Sequence, residues 1–365
     1  VLALGLLAPP LSGADEGPRC GLSVVPTLVG FDTSSGAALL ALPGREGAAY
    51  LALWLQGEET ARLFREPAEL GRFGGSIGPG PIFAFRRCGE GCLQPLGFAA
   101  DGWQPLGEPI LAPLAATVNA TYDLAGHPWT VVHGSSERPG LTRAWAFHLE
   151  GGEWRAAGRL DVTGLAAPGA LPAPWSPEGV VSGTGLFTAT GEARSWVSGL
   201  PADRGGAGAQ VVAFDRHAAA FLSPEGSIYR SDDTGATWRL SSWTPWGTGE
   251  AEPWHRGTDY TLDLPVGGPS GVLPMLWFDR RLEGRESLVY SEMSSTGRWR
   301  QVAVGPARIP TSAGEDLPVA LVLRGDDGRW SSVFGCVVSS GHPRLVVTEL
   351  AGGRISSPRL IPFER

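Results

Sequence analysis

Short strand-like apolar runs, separated by turn-forming residues, recur along this chain. Stretches such as Arg143–Leu149, Val272–Phe278 and Leu317–Leu323 are rich in β-branched, aromatic and aliphatic residues. Gly, Pro, Asp and Ser punctuate them about every 8–12 residues, which is the rhythm of strands and tight turns. No stretch sustains a 3.6-residue apolar period over three turns; Thr60–Leu70 fits a helix best, and it is short. With 53 Gly and 31 Pro, long helices would be hard to sustain. The pattern predicts an all-β chain.

One local pattern stands out within that rhythm. Ser231-Asp232-Asp233-Thr234-Gly235-Ala236-Thr237-Trp238 fits S-x-D-x-G-x-T-W at every fixed position and follows the strand-like Ser227–Arg230. A tight hairpin explains each residue type. Ser231 and Asp233 supply acceptors for turn amides, and Gly235 permits a positive φ. Thr237 leads into the next strand, and Trp238 returns to the packed layer. Worn copies recur as a spacing: Trp145 precedes Trp154 by nine residues, Tyr229 precedes Trp238 by nine, and Tyr290 precedes Trp299 by nine. Each closing Trp is followed by Arg, at Arg155, Arg239 and Arg300. Leu345 to Arg354 has the same length without the Trp. Internal repetition of this kind is the mark of a repeat architecture.

The Ser231–Trp238 segment resembles the Asp-box (BNR) repeat of sialidase-like β-propellers. That resemblance implies a β-propeller of four-stranded antiparallel blades. Grouping the strand runs in fours yields six units: 22–64, 72–107, 115–160, 179–242, 259–304 and 317–361. Residues 179–208 leave the fourth unit overlong, as an inserted hairpin or part of a seventh blade. Six blades is the expectation, with residues 15–365 as a single domain.

Composition narrows the partners. A net charge of −8 without a basic tract argues against nucleic acid or an anionic membrane. All 29 positive side chains are Arg, and Asn119 is the single Asn, a bias that GC-rich coding produces by itself. Residues 1–14 read as the apolar part of a secretory signal closing on Ser12-Gly13-Ala14, and no later apolar run is long enough to span a bilayer. A secreted or periplasmic location is the expectation. Four cysteines fit an oxidising compartment: Cys88 with Cys92 would close a small ring, and Cys20 with Cys336 would tie the N-terminal approach to the last unit. Cys-x3-Cys without an adjacent His or second Cys pair is weak for zinc, so no metal is expected. No cofactor motif appears either.

In the family it resembles, Asp boxes lie at the bottom periphery, between the third and fourth strands of a blade. The opposite face is left to second-to-third strand loops and blade connections. The parse sends Asp279, Arg280 and Arg281 there, with Trp243, Trp246, Trp254, His255 and Arg256. Glu137, Arg138, His342 and the Cys88–Cys92 ring with Arg86 and Arg87 join them. Aromatic planes beside forked guanidinium donors suit a glycan or an anionic ligand. The competing reading packs these tryptophans onto the rim and leaves the arginines as solvated charges.

Catalysis finds less support. Sialidases carry an aromatic-Arg-aliphatic-Pro motif early in the first blade; here Ser23–Leu28 keeps the Pro and places Val24 in the arginine slot. Phe64-Arg65-Glu66-Pro67 lies a blade-length too late, and Arg308-Ile309-Pro310 lies near the other end. Tyr229 and Tyr290 belong to the hairpin repeat, leaving Tyr50, Tyr122 and Tyr260 as nucleophile candidates. No nucleophile elbow, zincin motif or P-loop occurs, and the six histidines are scattered as loop or rim residues. The expectation is a non-catalytic binding or scaffold module for a glycan or an extracytoplasmic protein, such as a complex under assembly. A divergent sialidase-like glycoside hydrolase is the alternative.

Overall fold

The computed structural model describes residues 18–20, 26–32, 34–44, 49–66, 76–99, 102–112, 115–123, 125–137, 141–163, 173–176, 178–182, 185–195, 210–213, 219–222, 227–233, 237–243, 272–279, 287–294, 298–306, 322–324, 330–339, 341–351 and 354–364. These residues are all-β, with no helix among them. Strands β1 (Thr27–Asp32), β2 (Ala37–Pro43), β3 (Ala49–Leu55) and β4 (Ala61–Glu66) pair in chain order. Next come β5 (Ile77–Gly78), β6 (Phe83–Gly89), β7 (Cys92–Ala99), β8 (Gly102–Pro105) and β9 (Ile110–Leu111). A four-stranded meander follows: β10 (Ala115–Tyr122), β11 (Pro128–Ser135), β12 (Leu141–Glu150) and β13 (Glu153–Thr163).

Another comprises β14 (Ala173–Ser176), β15 (Gly179–Ser182), β16 (Gly185–Thr188) and β17 (Ala193–Ser195). Then come β18 (Gln210–Ala213), β19 (Ala219–Leu222), β20 (Ser227–Ser231) and β21 (Arg239–Trp243). Strands β22 (Val272–Asp279), β23 (Ser287–Ser294) and β24 (Trp299–Pro306) make a three-stranded sheet. The chain ends in β25 (Val322–Arg324), β26 (Trp330–Ser339), β27 (His342–Ala351), β28 (Arg354–Ile355) and β29 (Arg359–Glu364).

Two sequence expectations change here. The helix candidate at Thr60–Leu70 contributes strand β4, paired with β3 from Ala49↔Glu66 to Leu53↔Arg62. Its exposure alternates, with Ala61 and Leu63 buried and Arg62 and Arg65 exposed, so a sheet partner overrides helix propensity. The overlong unit 179–242 divides into two separate sheets, β14–β17 and β18–β21. Residues 179–195 are therefore more than an appended hairpin.

The repeat spacing marks equivalent hairpins. Trp145–Trp154 spans β12–β13, Tyr229–Trp238 spans β20–β21 and Tyr290–Trp299 spans β23–β24. In each, the register slips so that the residue three beyond the Trp is skipped: Ala157, Ser241 and Val302. A bulge at a constant offset re-aims the outer strand in the same way each time. In the fourth copy the outer strand breaks at the same place, between β28 and β29. Trp154 shows what the aromatic does. It packs against Phe83 and Phe85 of the preceding sheet and donates its Nε1–H to the Leu106 carbonyl at 2.7 Å.

Packing between sheets makes the core. Phe83, Phe85, Val118, Ala120, Tyr122 and Val132 form one buried cluster; Trp129, Val131, Ala144, Ala146, Val180 and Phe187 form the next. Gly78 is required under Tyr122, because a Cβ there would stand 2.4 Å from the ring. The last strand closes on the first sheet. Strand β29 lies parallel to β4 (Phe363↔Ala61, Glu364↔Arg62), and a buried cluster joins Leu40, Tyr50, Trp54 and Leu63 to Leu345, Val347 and Ile361. The Cys20–Cys336 disulfide, with Cα atoms 4.9 Å apart, spans 316 residues at this seam. In the chain-entropy picture, a link of that span stabilises by about 6 kcal/mol.

Candidate functional site

Antiparallel meanders present their turns at two ends. In β10–β13 the first-to-second and third-to-fourth turns share one end, and the second-to-third turn occupies the other. The Ser231–Trp238 turn, between β20 and β21, belongs to the first kind. Its aspartate is consumed by its own hairpin: Asp233 Oδ1 accepts from Ser231 Oγ and the Thr237 amide (both 2.8 Å), and Oδ2 accepts from Thr237 Oγ1 at 2.6 Å. These bonds, that from the Thr237 hydroxyl foremost, lower its pKa to about 2. Asp232 bridges Arg230 and Arg239 across the same hairpin.

A second aspartate turn, which sequence reading missed, joins β10 to β11. Asp123 Oδ1 accepts from the amides of Ala125 and His127 at 2.9 Å, and Oδ2 meets His127 Nδ1 at 3.1 Å and the Trp129 indole at 3.0 Å. Asp32 does similar work between β1 and β2 through Ser34 and Ser35. Both turns lack the spaced Thr and Trp that make the Ser231 segment visible. Asp32, Asp123 and Asp233 thus each hold a turn at this end.

The far end has a different chemistry. Strand β11 runs from the Asp123 turn to Ser135, which brings His133 near the far end. There His133 Nε2 lies 3.3 Å from Ser182 Oγ of the neighbouring sheet, and both residues are buried. His133 Nδ1 has no hydrogen-bond partner, and burial pushes the imidazole pKa down to about 4. Beside it in β12, Arg143 grips Asp161 with two nitrogens at 2.7 and 3.3 Å and reaches Glu137 at 3.7 Å. Strand β6 likewise starts at Phe83, against Tyr122 at the Asp123 end, and rises to Gly89. Its hairpin with β7 therefore carries the Cys88–Cys92 disulfide to the far end, where Arg87 and Cys88 are exposed. His342 is exposed at the β26–β27 turn.

Of the ligand candidates read from sequence, Asp279 closes β22 and Trp243 closes β21. Both backbones lie at the sheet ends away from the repeat hairpins. Arg280, Arg281, Trp246, Trp254, His255, Arg256 and Arg138 lie outside the described residues, as do Val24, Tyr260 and Gly235. His133 and His148 are buried strand residues, contrary to the loop or rim position expected of the histidines, because each occupies an inward position between apolar neighbours. His148 stacks on Trp129 with ring centroids 5.1 Å apart. Two nucleophile candidates are structural as well. Tyr50 is buried in the seam core, and Tyr122 donates its hydroxyl to the Pro81 carbonyl at 2.5 Å while burial raises its pKa. Among the described residues, no group of three His, Cys, Asp or Glu is arranged to hold a metal ion. No helix among them is long and apolar enough to cross a membrane.

No protein-family model and no curated protein matches this chain. Solved structures do. The β-propeller domain of the Trilobed protease from Pyrococcus furiosus aligns with a TM-score of 0.50 at 9% identity, covering 92% of this chain and 98% of that one. That domain is described as having an open velcro topology. A six-bladed fucose-recognising lectin from Aleuria aurantia aligns at TM-score 0.43 and 11% identity, over 95% of this chain and 98% of its own. Saccharomyces cerevisiae Sqt1 aligns at 0.47 and 7% identity, over 94% and 88%. At 9% identity the likeness to the archaeal domain speaks to fold alone: the chain resembles β-propellers.

Proposed function

We propose that this chain is a secreted or periplasmic β-propeller of the Asp-box type, without catalytic activity, that binds a glycan at the ends of its sheets opposite the Ser231–Trp238 turn. The observation that carries the reading is the division of labour between the two ends. Asp123 and Asp233 at the turn end are spent on hairpins, and Tyr50 and Tyr122 are locked in the core. Arg87 is exposed at the far end, and the backbones of Trp243 and Asp279 arrive there. Aromatic faces with Arg donors match sugar rings and their acidic substituents. The separate sheets β6–β9, β10–β13, β14–β17, β18–β21 and β22–β24, together with β1–β4 and β25–β29 meeting across the β29–β4 seam, favour seven blades over six. Two disulfides fit an oxidising compartment.

A glycan array probed with the purified protein tests this reading. Binding that falls at least roughly tenfold in Trp243→Ala and in Arg280→Ala/Arg281→Ala supports it. An empty array with capture of an extracytoplasmic protein would transfer the site to a protein partner. Release of sugar from a fluorogenic sialoside would instead establish the hydrolase.

A further inference from the structure

The two disulfides differ in every respect that governs their chemistry. Cys20–Cys336 joins residues 316 apart, and Cys336 is fully buried in the seam core. Cys88–Cys92 closes a ring only 4 residues apart, at the tip of a hairpin whose strands are already paired from Phe83↔Gly97 to Arg87↔Leu93. Cys88 is the residue skipped in the register, and it is exposed; Cys92 is half-buried. Gly91, at φ +69°, makes the reversal between them.

Linkage converts that contrast into reactivity. The free energy by which a disulfide stabilises a fold equals that by which the fold stabilises the disulfide. An unfolded chain closes a ring this short almost as readily as the native one, so the fold adds little to Cys88–Cys92. For Cys20–Cys336 the fold supplies nearly all the proximity. The hairpin bond is thus the more reducible, and Cys88 is exposed.

We propose that Cys88–Cys92 is a thiol-exchange site for low-molecular-weight thiols, working in the folded protein while Cys20–Cys336 stays closed. An incoming thiolate attacks Cys88 Sγ, forming a mixed disulfide and expelling the Cys92 thiolate, which takes up a proton. A second thiolate then attacks the sulfur of the bound thiol. That releases the oxidised thiol disulfide and leaves the Cys88 and Cys92 dithiol. Two thiols are oxidised and one protein disulfide is reduced.

Glutathione redox buffers of graded ratio test this on the full chain, with acid quench, alkylation and peptide mass spectrometry. Half-reduction of Cys88–Cys92 is expected under conditions at least roughly tenfold less reducing than for Cys20–Cys336, with the circular dichroism unchanged. Cys92→Ser is expected to accumulate glutathione on Cys88. Simultaneous opening of both bonds overturns the proposal. So does a Cys88–Cys92 bond that persists until the protein unfolds, or a Cys92→Ser protein that takes up no glutathione. None of these readouts depends on glycan binding.

Discussion

Asp123 and Asp233 do the same job in two hairpins and differ in where they do it. Asp123 is buried, its side chain 1% exposed, and it gathers two amides, an imidazole and an indole. Asp233 is exposed and gathers Ser231 and Thr237 of its own turn. An exposed turn must be specified by residues within it, so it carries a recognisable string. A buried turn recruits partners from the strand that follows, here Trp129. The same carboxylate chemistry is local in one hairpin and reaches into the core in the other.

The contrast breaks most sharply at Asp123. Asp123→Ala leaves the Trp129 indole and the His127 amide without their acceptor, and is expected to cost about 4 kcal/mol in urea unfolding. A loss no greater than that of Asp233→Ala would erase the distinction. Acid probes burial at the far end. The folded pKa of His133, about 4, lies below its ordinary 6.5, so as pH falls the unfolded chain takes up the proton first. Stability is full above pH 6.5, falls between 6.5 and 4, and levels off below 4, a loss of about 3 kcal/mol. His133→Gln is expected to flatten that segment of the pH profile.

Trp154→Phe removes the bond to the Leu106 carbonyl and part of the contact with Phe83 and Phe85. The expected loss is about 1–2 kcal/mol by thermal melting. Asp233→Ala is expected to have the smallest effect of the four. Its contribution is present above pH 3.8 and fades as pH falls through 2, where the native carboxylate takes up a proton. A melting point unchanged between Asp233→Ala and the parent at pH 7 would remove even that role.

Much of the fold was legible because its repeats are local. The Trp-Arg spacing located the β12–β13, β20–β21 and β23–β24 hairpins, since a hairpin is encoded within about twenty residues. The bulges at Ala157, Ser241 and Val302 were not legible, because a register slip is a relation between two strands. Thr60–Leu70 misled for the same reason: β4 exists because β3 is there to pair with it. The candidate site was least legible. Val131, Val132 and His133 read as one strand, and nothing local announces that Ser182, 49 residues away, meets the imidazole.

By itself the sequence determined the all-β class, the hairpin repeat and the cysteines that a short ring requires. These follow from side-chain period, turn chemistry and chain distance, which are properties of neighbouring residues. Tertiary structure decided which aspartate is buried, which histidines are buried in strands and which disulfide lies in an exposed hairpin. Burial is a property of the surroundings. It sets the cost of an unpaired charge and the access of a reagent, and no short window of sequence contains it.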